Sequence, residues 1–294
     1  MRNRRTGSDL AFDLVSYATL GLFTLLILYP LYFIVIASVS DPNGIFNGEV
    51  WLWPKDLTFD GYRRIFSEPT IWTGYRNSVF YAIVSAFVSA ALVIMAAYPL
   101  SRKDFFGRNA FMTFFVLTLF FNGGIIPSYL LMKQLHLIDT MWAVVLPGAV
   151  DAFLIIIAKT FFQELPDELR EAAAIDGCRN IRYLWSIVLP VSKPILAVLV
   201  LFAVVRQWNG FFDALIYLSD AHKFPLQLVL RNILIQNQPS GNLVNDIDTL
   251  LAKQRVTELI KFGVIIVAAL PLLVLYPFLQ RYFVKGVMIG SIKG

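Results

Sequence analysis

The chain has 294 residues and a net charge of +5, yet only 15% of them are charged, 57% are hydrophobic and the mean hydropathy is +0.66. A soluble domain carries roughly 25% charged residues, so a water-soluble fold is excluded, and basic residues that flank apolar runs argue against a nucleic-acid partner. The lone Cys178 excludes an internal disulfide or a CxxC metal site, and His136 and His222 stand too far apart in sequence to suggest a metal site.

Met1-Arg-Asn-Arg-Arg5 leads into an apolar run over 14–39. A signal peptide has an apolar region of roughly 7–15 residues, so this longer run is expected to be a retained first helix. A helix needs about 20 mostly apolar residues to cross the hydrocarbon core. Five more stretches qualify: 77–100, 109–132, 141–162, 187–208 and 259–279. No ten-residue alternating segments are present, which argues against a closed barrel. The expectation is an all-α integral membrane protein with six transmembrane helices in a single domain, 1–294.

Cationic residues set the orientation. With the N-terminus inside, segments 1–10, 101–109, 159–193 and 281–294 are cytoplasmic and hold 14 of the 25 Lys and Arg residues. Both termini are therefore expected in the cytoplasm. Outer loop 40–76 carries Trp51, Trp53 and Pro54 as candidate interfacial anchors. Outer loop 209–258 contains a Pro/Ser/Gly/Asn stretch over 238–245 and an expected short surface helix over 246–255.

Several residues inside the expected spans invite a role in a substrate pathway. Asn122, Gly123, Gly124 and Pro127 interrupt span three, and freed backbone groups there can face a cavity; a packing kink explains them as well. Asp151 lies mid-way along span four, where a carboxylate is costly and marks a functional candidate; a structural Asp bonded inside the bundle is the alternative. Gln207, Trp208 and Asn209 end span five, and an aromatic face with amides suits a sugar, as an interfacial Trp suits that place. Ala82, Ala86 and Ala90 with Ser85 and Ser89 form a small-residue stripe suited to helix packing.

The most informative segment is cytoplasmic, 165–186. Pro166 fits the first turn of a helix, Asp167 and Glu168 suit its positive end, and Glu171-Ala-Ala-Ala favours helix. Gly177 can end it by taking a positive φ, and Pro190 and Pro194 open the next span. Glu171-Ala172-Ala173, Asp176-Gly177 and Ile187-x-Leu189-Pro190 resemble the EAA loop of ABC importer permeases. Leu28-Tyr-Pro30, Ser38, Asn77-Ser78, Ala97-Tyr-Pro-Leu-Ser101 and the tail 280–294 are similar to the second permease of maltose-type carbohydrate importers, most of all those serving oligosaccharides and polysaccharides.

The resemblance implies a type I importer permease fold, carrying sugar by alternating access in the cytoplasmic membrane of a prokaryote. It implies that Glu171, Ala172, Ala173, Asp176 and Gly177 couple the chain to an ATPase, and that the tail, with Gly286, Gly290 and Lys293, contacts that ATPase. The implied partners are a second permease subunit in a heterodimer, two ATP-binding subunits and an extracytoplasmic solute-binding protein. The sequence has no GxxxxGK[ST] phosphate loop and no nucleophile elbow or HExxH. ATP and Mg are therefore expected in partner subunits, with no cofactor here and no catalysis. A peptide or amino-acid permease, an ion-coupled carrier and a membrane enzyme are the rival readings; the carrier needs several intramembrane carboxylates and repeat symmetry.

Overall fold

The computed structural model describes residues 7–236, 257 and 260–277. The tail residues Gly286, Gly290 and Lys293 and the surface helix expected over 246–255 lie outside the described residues. The described residues contain helices and turns and no strand. They fall into two compact units. One comprises 1–68 and 232–269, the other 69–231 and 270–294.

In the first unit, α1 (Gly7–Ala37) runs for 31 residues and α2 (Pro42–Phe46) and α3 (Asp60–Ser67) follow. α1 is apolar around its whole circumference, and its side chains from Leu14 to Val35 are largely uncovered by its own chain. Such a helix needs lipid or another helix around it. Tyr62 at the start of α3 donates to Ser38 Oγ at 2.8 Å, which fixes α3 to the end of α1. Ser38, noted in the sequence only as part of a resemblance, thereby acquires a structural role.

The second unit is built on α4 (Pro69–Ser101), followed by α5 (Arg108–Phe120) and α6 (Ile125–Gln134). Then come α7 (Trp142–Val145), prolonged by a tight turn at Leu146–Gly148, and α8 (Ala152–Gln163). Next are α9 (Asp167–Ile175), α10 (Asn180–Val191), α11 (Lys193–Asn209), α12 (Phe212–Tyr217) and α13 (Leu226–Gln236), the last belonging to this unit as far as Arg231. A final helix, α14 (Ile260–Pro277), closes the described chain.

α4 packs against α8 and α11. Of the small-residue stripe, Ala82, Ser85, Ala86 and Ser89 are buried and Ala90 is half-buried, as suits close approach of neighbouring helices. The first half of α4 pins the loop before α13. Asn77 Nδ2 donates to the carbonyls of His222 (2.7 Å) and Phe224 (3.1 Å), Tyr81 Oη donates to the Lys223 carbonyl (2.9 Å), and the Leu226 N–H donates to Ser78 Oγ (2.8 Å). Gly74 lets this happen, since a Cβ there would sit 3.1 Å from Leu226 Cα. Lys223 also bonds Asp139 Oδ2 at 2.6 Å, and the Ser219 and Asp220 N–H groups donate to Asp139 Oδ1. The lysine and the two amides hold the Asp139 carboxyl down at about 2.

Three helices, Ala11–Ala37, Pro69–Ser101 and Ile260–Pro277, are long and apolar enough to cross a membrane unbroken. The expected spans three, four and five are each a bent pair: α5 with α6 turns by 115°, α7 with α8 by 53°, and α10 with α11 by 85°. The structure therefore carries three to six candidate spans. Each break has a local cause. Gly124 takes φ +80° with ψ 171°, a conformation almost confined to glycine. Asp151 is extended and restarts a helix. Pro194 lacks the N–H that would continue the helix of Leu189–Val191, so a new helix starts at Lys193 instead of continuing from Ile187 as expected.

Candidate functional site

The segment after α8 folds as its sequence dictates. Pro166 caps α9, Asp167 and Glu168 occupy its first turn, and Gly177 follows Asp176 with φ +71°. The Cys178 N–H donates to the Ala173 carbonyl (2.8 Å) and the Gly177 N–H to the Ala174 carbonyl (3.0 Å). This is a Schellman termination, which needs a left-handed residue at the glycine position. A Cβ on Gly177 would meet nothing within 4 Å. Within this chain the constraint at 177 is therefore one of backbone conformation, not of space.

α9 is polar on one side and seated on the other. Ala173 is 5% exposed and belongs to one apolar core with Val93, Ala97 and Leu100 of α4, Leu154, Ile155, Ala158 and Phe162 of α8, Tyr183 and Val188 of α10, and Ile195 and Leu199 of α11. This corrects one expectation: Ala173 faces its own chain, because the apolar side of a short amphipathic helix is drawn to the nearest core. Glu171, Ala172, Ala174, Asp176 and Gly177 are exposed. Glu171 has no hydrogen bond or ion pair among the described residues and lines a cleft of about 330 Å³ with Tyr98, Arg102, Asp167, Arg170 and Tyr183.

A polar network ties α9 and α10 to the end of α4. Arg102 holds Asp104 through Nε (2.9 Å) and Nη2 (2.7 Å), and its Nη1 reaches Tyr98 Oη (3.3 Å) and Asn180 Oδ1 (3.2 Å). Arg170 approaches Asp104 at 3.5 Å and Lys103 approaches Asp167 at 3.4 Å. The forked bond from Arg102 keeps the Asp104 carboxyl well below the usual carboxylate range. A guanidinium fork held this way fixes orientation as well as charge. Sequence reading counted Arg102, Lys103 and Arg170 only among the orienting charges. Their pairing across 78 and 66 positions had no local signal.

The residues singled out inside the spans separate into two groups. Asn122, Gly123 and Gly124 form the exposed break between α5 and α6, with Asn122 Oδ1 accepting from the Gly124 N–H (3.2 Å). Asp151 is the N-cap of α8: Oδ1 accepts from the Phe153 (2.8 Å) and Leu154 (3.3 Å) N–H groups, while Oδ2 pairs with Arg206 Nη1 at 3.1 Å. Its place at a helix start, rather than mid-helix, follows from the break at 149–151. Arg206 was missed, although it falls inside the expected fifth span. Its guanidinium covers Gly148, where a Cβ would lie 2.7 Å from Cζ.

Gln207 and Trp208 are 8% and 2% exposed, and Trp208 lies against Tyr75 with ring centroids 6.1 Å apart. They are core residues of the second unit, so the aromatic face expected for a sugar is already covered. Asn209 is exposed, with Nδ2 donating to the Val205 carbonyl at 2.9 Å. Among the described residues no group of three or more His, Cys, Asp and Glu side chains is placed to hold a metal ion.

Comparisons with known proteins place this architecture. The model of the family described as "Binding-protein-dependent transport system inner membrane component" matches residues 2–289. Protein LplC of Bacillus subtilis (strain 168) is 39% identical over 294 residues, covering 100% of this chain and 98% of the relative. The polygalacturonan/rhamnogalacturonan transport system permease protein YtcP of the same organism is 39% identical over 284 residues, covering 96% and 98%. Among solved structures, a chain of a bacterial ABC transporter involved in the import of the acidic polysaccharide alginate superposes with a TM-score of 0.83 at 31% identity, covering 95% of this chain and 99% of that one. The fold is the type I importer permease fold, the role is that of a transport subunit and not of an enzyme, and the chain belongs to the family of binding-protein-dependent transport system inner membrane components.

Proposed function

We propose that this chain is one of two permease subunits in an ATP-driven, binding-protein-dependent importer of oligosaccharides or polysaccharides, and that it moves substrate by alternating access. The observation that carries the reading is the burial of Ala173 in one core with α4, α8 and α11. A push on α9 is transmitted to three apolar helices without passing through a flexible joint, because close-packed interiors have low compressibility. Exposed Glu171, Ala172, Asp176 and Gly177 form the surface for the ATPase. ATP and Mg belong to two such ATP-binding subunits, and an extracytoplasmic binding protein delivers substrate. Nucleic acid has no part in the assembly.

The full topology is six spans across the cytoplasmic membrane of a prokaryote, the three bent pairs each counting as one, with both termini inside. Asn122, Gly123, Gly124 and Asp151 line or shape the pathway at helix breaks, and Asn209 remains open to it. Gln207 and Trp208 support it from the core. The tail, with Gly286, Gly290 and Lys293, contacts the ATPase dimer. The sugar class rests on relatives whose names specify polygalacturonan, rhamnogalacturonan and arabinooligosaccharides, and on the alginate importer.

The test is uptake by the assembled complex in vesicles. With ATP, binding protein and all subunits, labelled uronate or neutral oligosaccharides accumulate while peptides do not, and the purified chain alone hydrolyses no ATP. Cys178 reacts with a thiol reagent only from the side where ATP acts. Accumulation driven by an ion gradient without ATP, or labelling of Cys178 from the opposite side, overturns the reading.

A further inference from the structure

The end of α2 and the loop from it to α3 display an apolar surface. Phe46 (56% exposed), Trp51 (70%), Trp53 (78%) and Leu57 (67%) are open, while Val50 is buried. The loop is not loosely held. Tyr32 Oη donates to the Leu52 carbonyl, and Tyr29 Oη donates to the Trp51 carbonyl at 3.4 Å. The Asp41 N–H donates to the Lys55 carbonyl (3.0 Å) and the Thr58 N–H to the Val39 carbonyl (2.9 Å). Lys55 is paired with Glu49 at 2.7 Å.

Both tyrosines belong to α1, so they fix the depth of the loop against that helix. From Leu14, where the apolar run opens, Tyr29 and Tyr32 lie about 23 and 27 Å along the axis at 1.5 Å per residue. The hydrocarbon core is about 30 Å thick. The Trp51 and Leu52 carbonyls are thus bonded at the outer edge of that core, where an unsatisfied backbone carbonyl is costly. A tyrosine with its ring along a span and its hydroxyl on such a carbonyl removes that cost. Tryptophans at this level match the interfacial aromatic belt. The apolar residues of α1 that flank the two tyrosines in sequence, Leu28 and Leu31, are exposed as well.

We infer that residues 46–57 are a membrane-interface seat, with Trp51 and Trp53 inserted at the outer leaflet boundary and Tyr29 and Tyr32 as the tethers that hold the loop there. The inference rests on α1 spanning the membrane, and its test separates the two. In a Cys178→Ser background, nitroxide labels are placed on Trp51→Cys and Trp53→Cys in the assembled transporter in lipid nanodiscs. Arg63→Cys serves as the aqueous reference, and labels stepped along 18–24 report on α1. Collision rates with oxygen and with a water-soluble nickel chelate are compared.

The expected oxygen-to-nickel ratio at 51 and 53 is several-fold above that at 63, with or without binding protein. Tyr29→Phe with Tyr32→Phe should move it back toward the aqueous value. Nickel-accessible labels at 51 and 53, with lipid-exposed labels in α1, overturn the inference alone. Nickel-accessible labels in α1 overturn the membrane reading beneath it. Low accessibility to both reagents, or protection only after binding protein is added, assigns the surface to a protein partner and rejects the lipid seat. An unchanged ratio in the tyrosine variant rejects the tethers.

Discussion

Replacing Gly177 by valine should reduce transport by the assembled complex about 5–30-fold, the factor that 1–2 kcal/mol represents, while leaving the chain inserted and assembled. The expectation follows from the turn itself. Gly177 sits at φ +71° and donates to the Ala174 carbonyl in the Schellman termination. A residue with a Cβ in this region costs roughly 1–2 kcal/mol, and a β-branched one is a genuine outlier there. Since a Cβ at 177 would touch nothing within 4 Å, size is not the variable. Asparagine, which tolerates the left-handed region, should therefore retain most of the transport.

Glu171→Lys probes the same element by a different route. Glu171 is exposed and has no bonded partner among the described residues, so charge reversal should leave the melting temperature of the subunit unchanged. Binding-protein-stimulated ATP hydrolysis should fall with transport, because a docked carboxylate would become a like-charge or unpaired contact. Wild-type uptake and normal stimulation in both Glu171→Lys and Gly177→Val would show that α9 does not link the ATPase to the spans. Equal losses in Gly177→Val and Gly177→Asn would instead show that side-chain bulk at a docked interface matters, and not the turn.

The segment from Pro166 to Gly177 was legible in the sequence because its signals are local. Pro166, the two acids after it, the alanine run and Gly177 each act within one helical turn, and together they specified start, body and end. The six apolar stretches were legible for the same reason that bilayer thickness is: composition over about 20 residues decides. What composition does not carry is direction. The bends of 115°, 53° and 85° arise at single positions, and an apolar window reads straight through them. Gly124 and Pro194 were visible as interruptions, but the angle depends on which packing each half finds.

Pairings at long range were invisible. Arg102 reaches Asn180 and Lys223 reaches Asp139, and no spacing rule connects them. Ala173 shows the same limit from the other side. Its identity as a small residue was clear, but which surface it served depended on the core formed by α4, α8 and α11. Trp208 likewise allowed a sugar-facing or an interfacial reading, and its burial against Tyr75 depends on the fold.

The Asp151–Arg206 pair should prove to be a joint between α8 and α11, and the expected effects are non-additive. Asp151 does two jobs with different oxygens: Oδ1 caps α8 and Oδ2 holds Arg206. Asparagine is as good an N-cap as aspartate, whereas alanine loses about 0.5–2 kcal/mol. Asp151→Asn therefore removes the charge pair and keeps the cap, and Asp151→Ala removes both. The side chains are 28% and 38% exposed, so the pair alone is worth less than a fully buried one, and Asp151→Ala should be the more damaging variant in thermal unfolding of the assembled complex. Arg206 Nη2 is buried without a hydrogen-bond partner among the described residues, and the guanidinium covers Gly148. Backbone conformation at 148 admits alanine, so Gly148→Ala acts only by displacing the guanidinium from Cβ range. Arg206→Met, which removes the pair, should lower transport; Gly148→Ala should reproduce much of that loss, yet add little on an Arg206→Met background, since residues sharing one contact couple. A Gly148→Ala loss of equal size with Arg206 present or absent would separate the glycine from the pair and remove the joint from the mechanism.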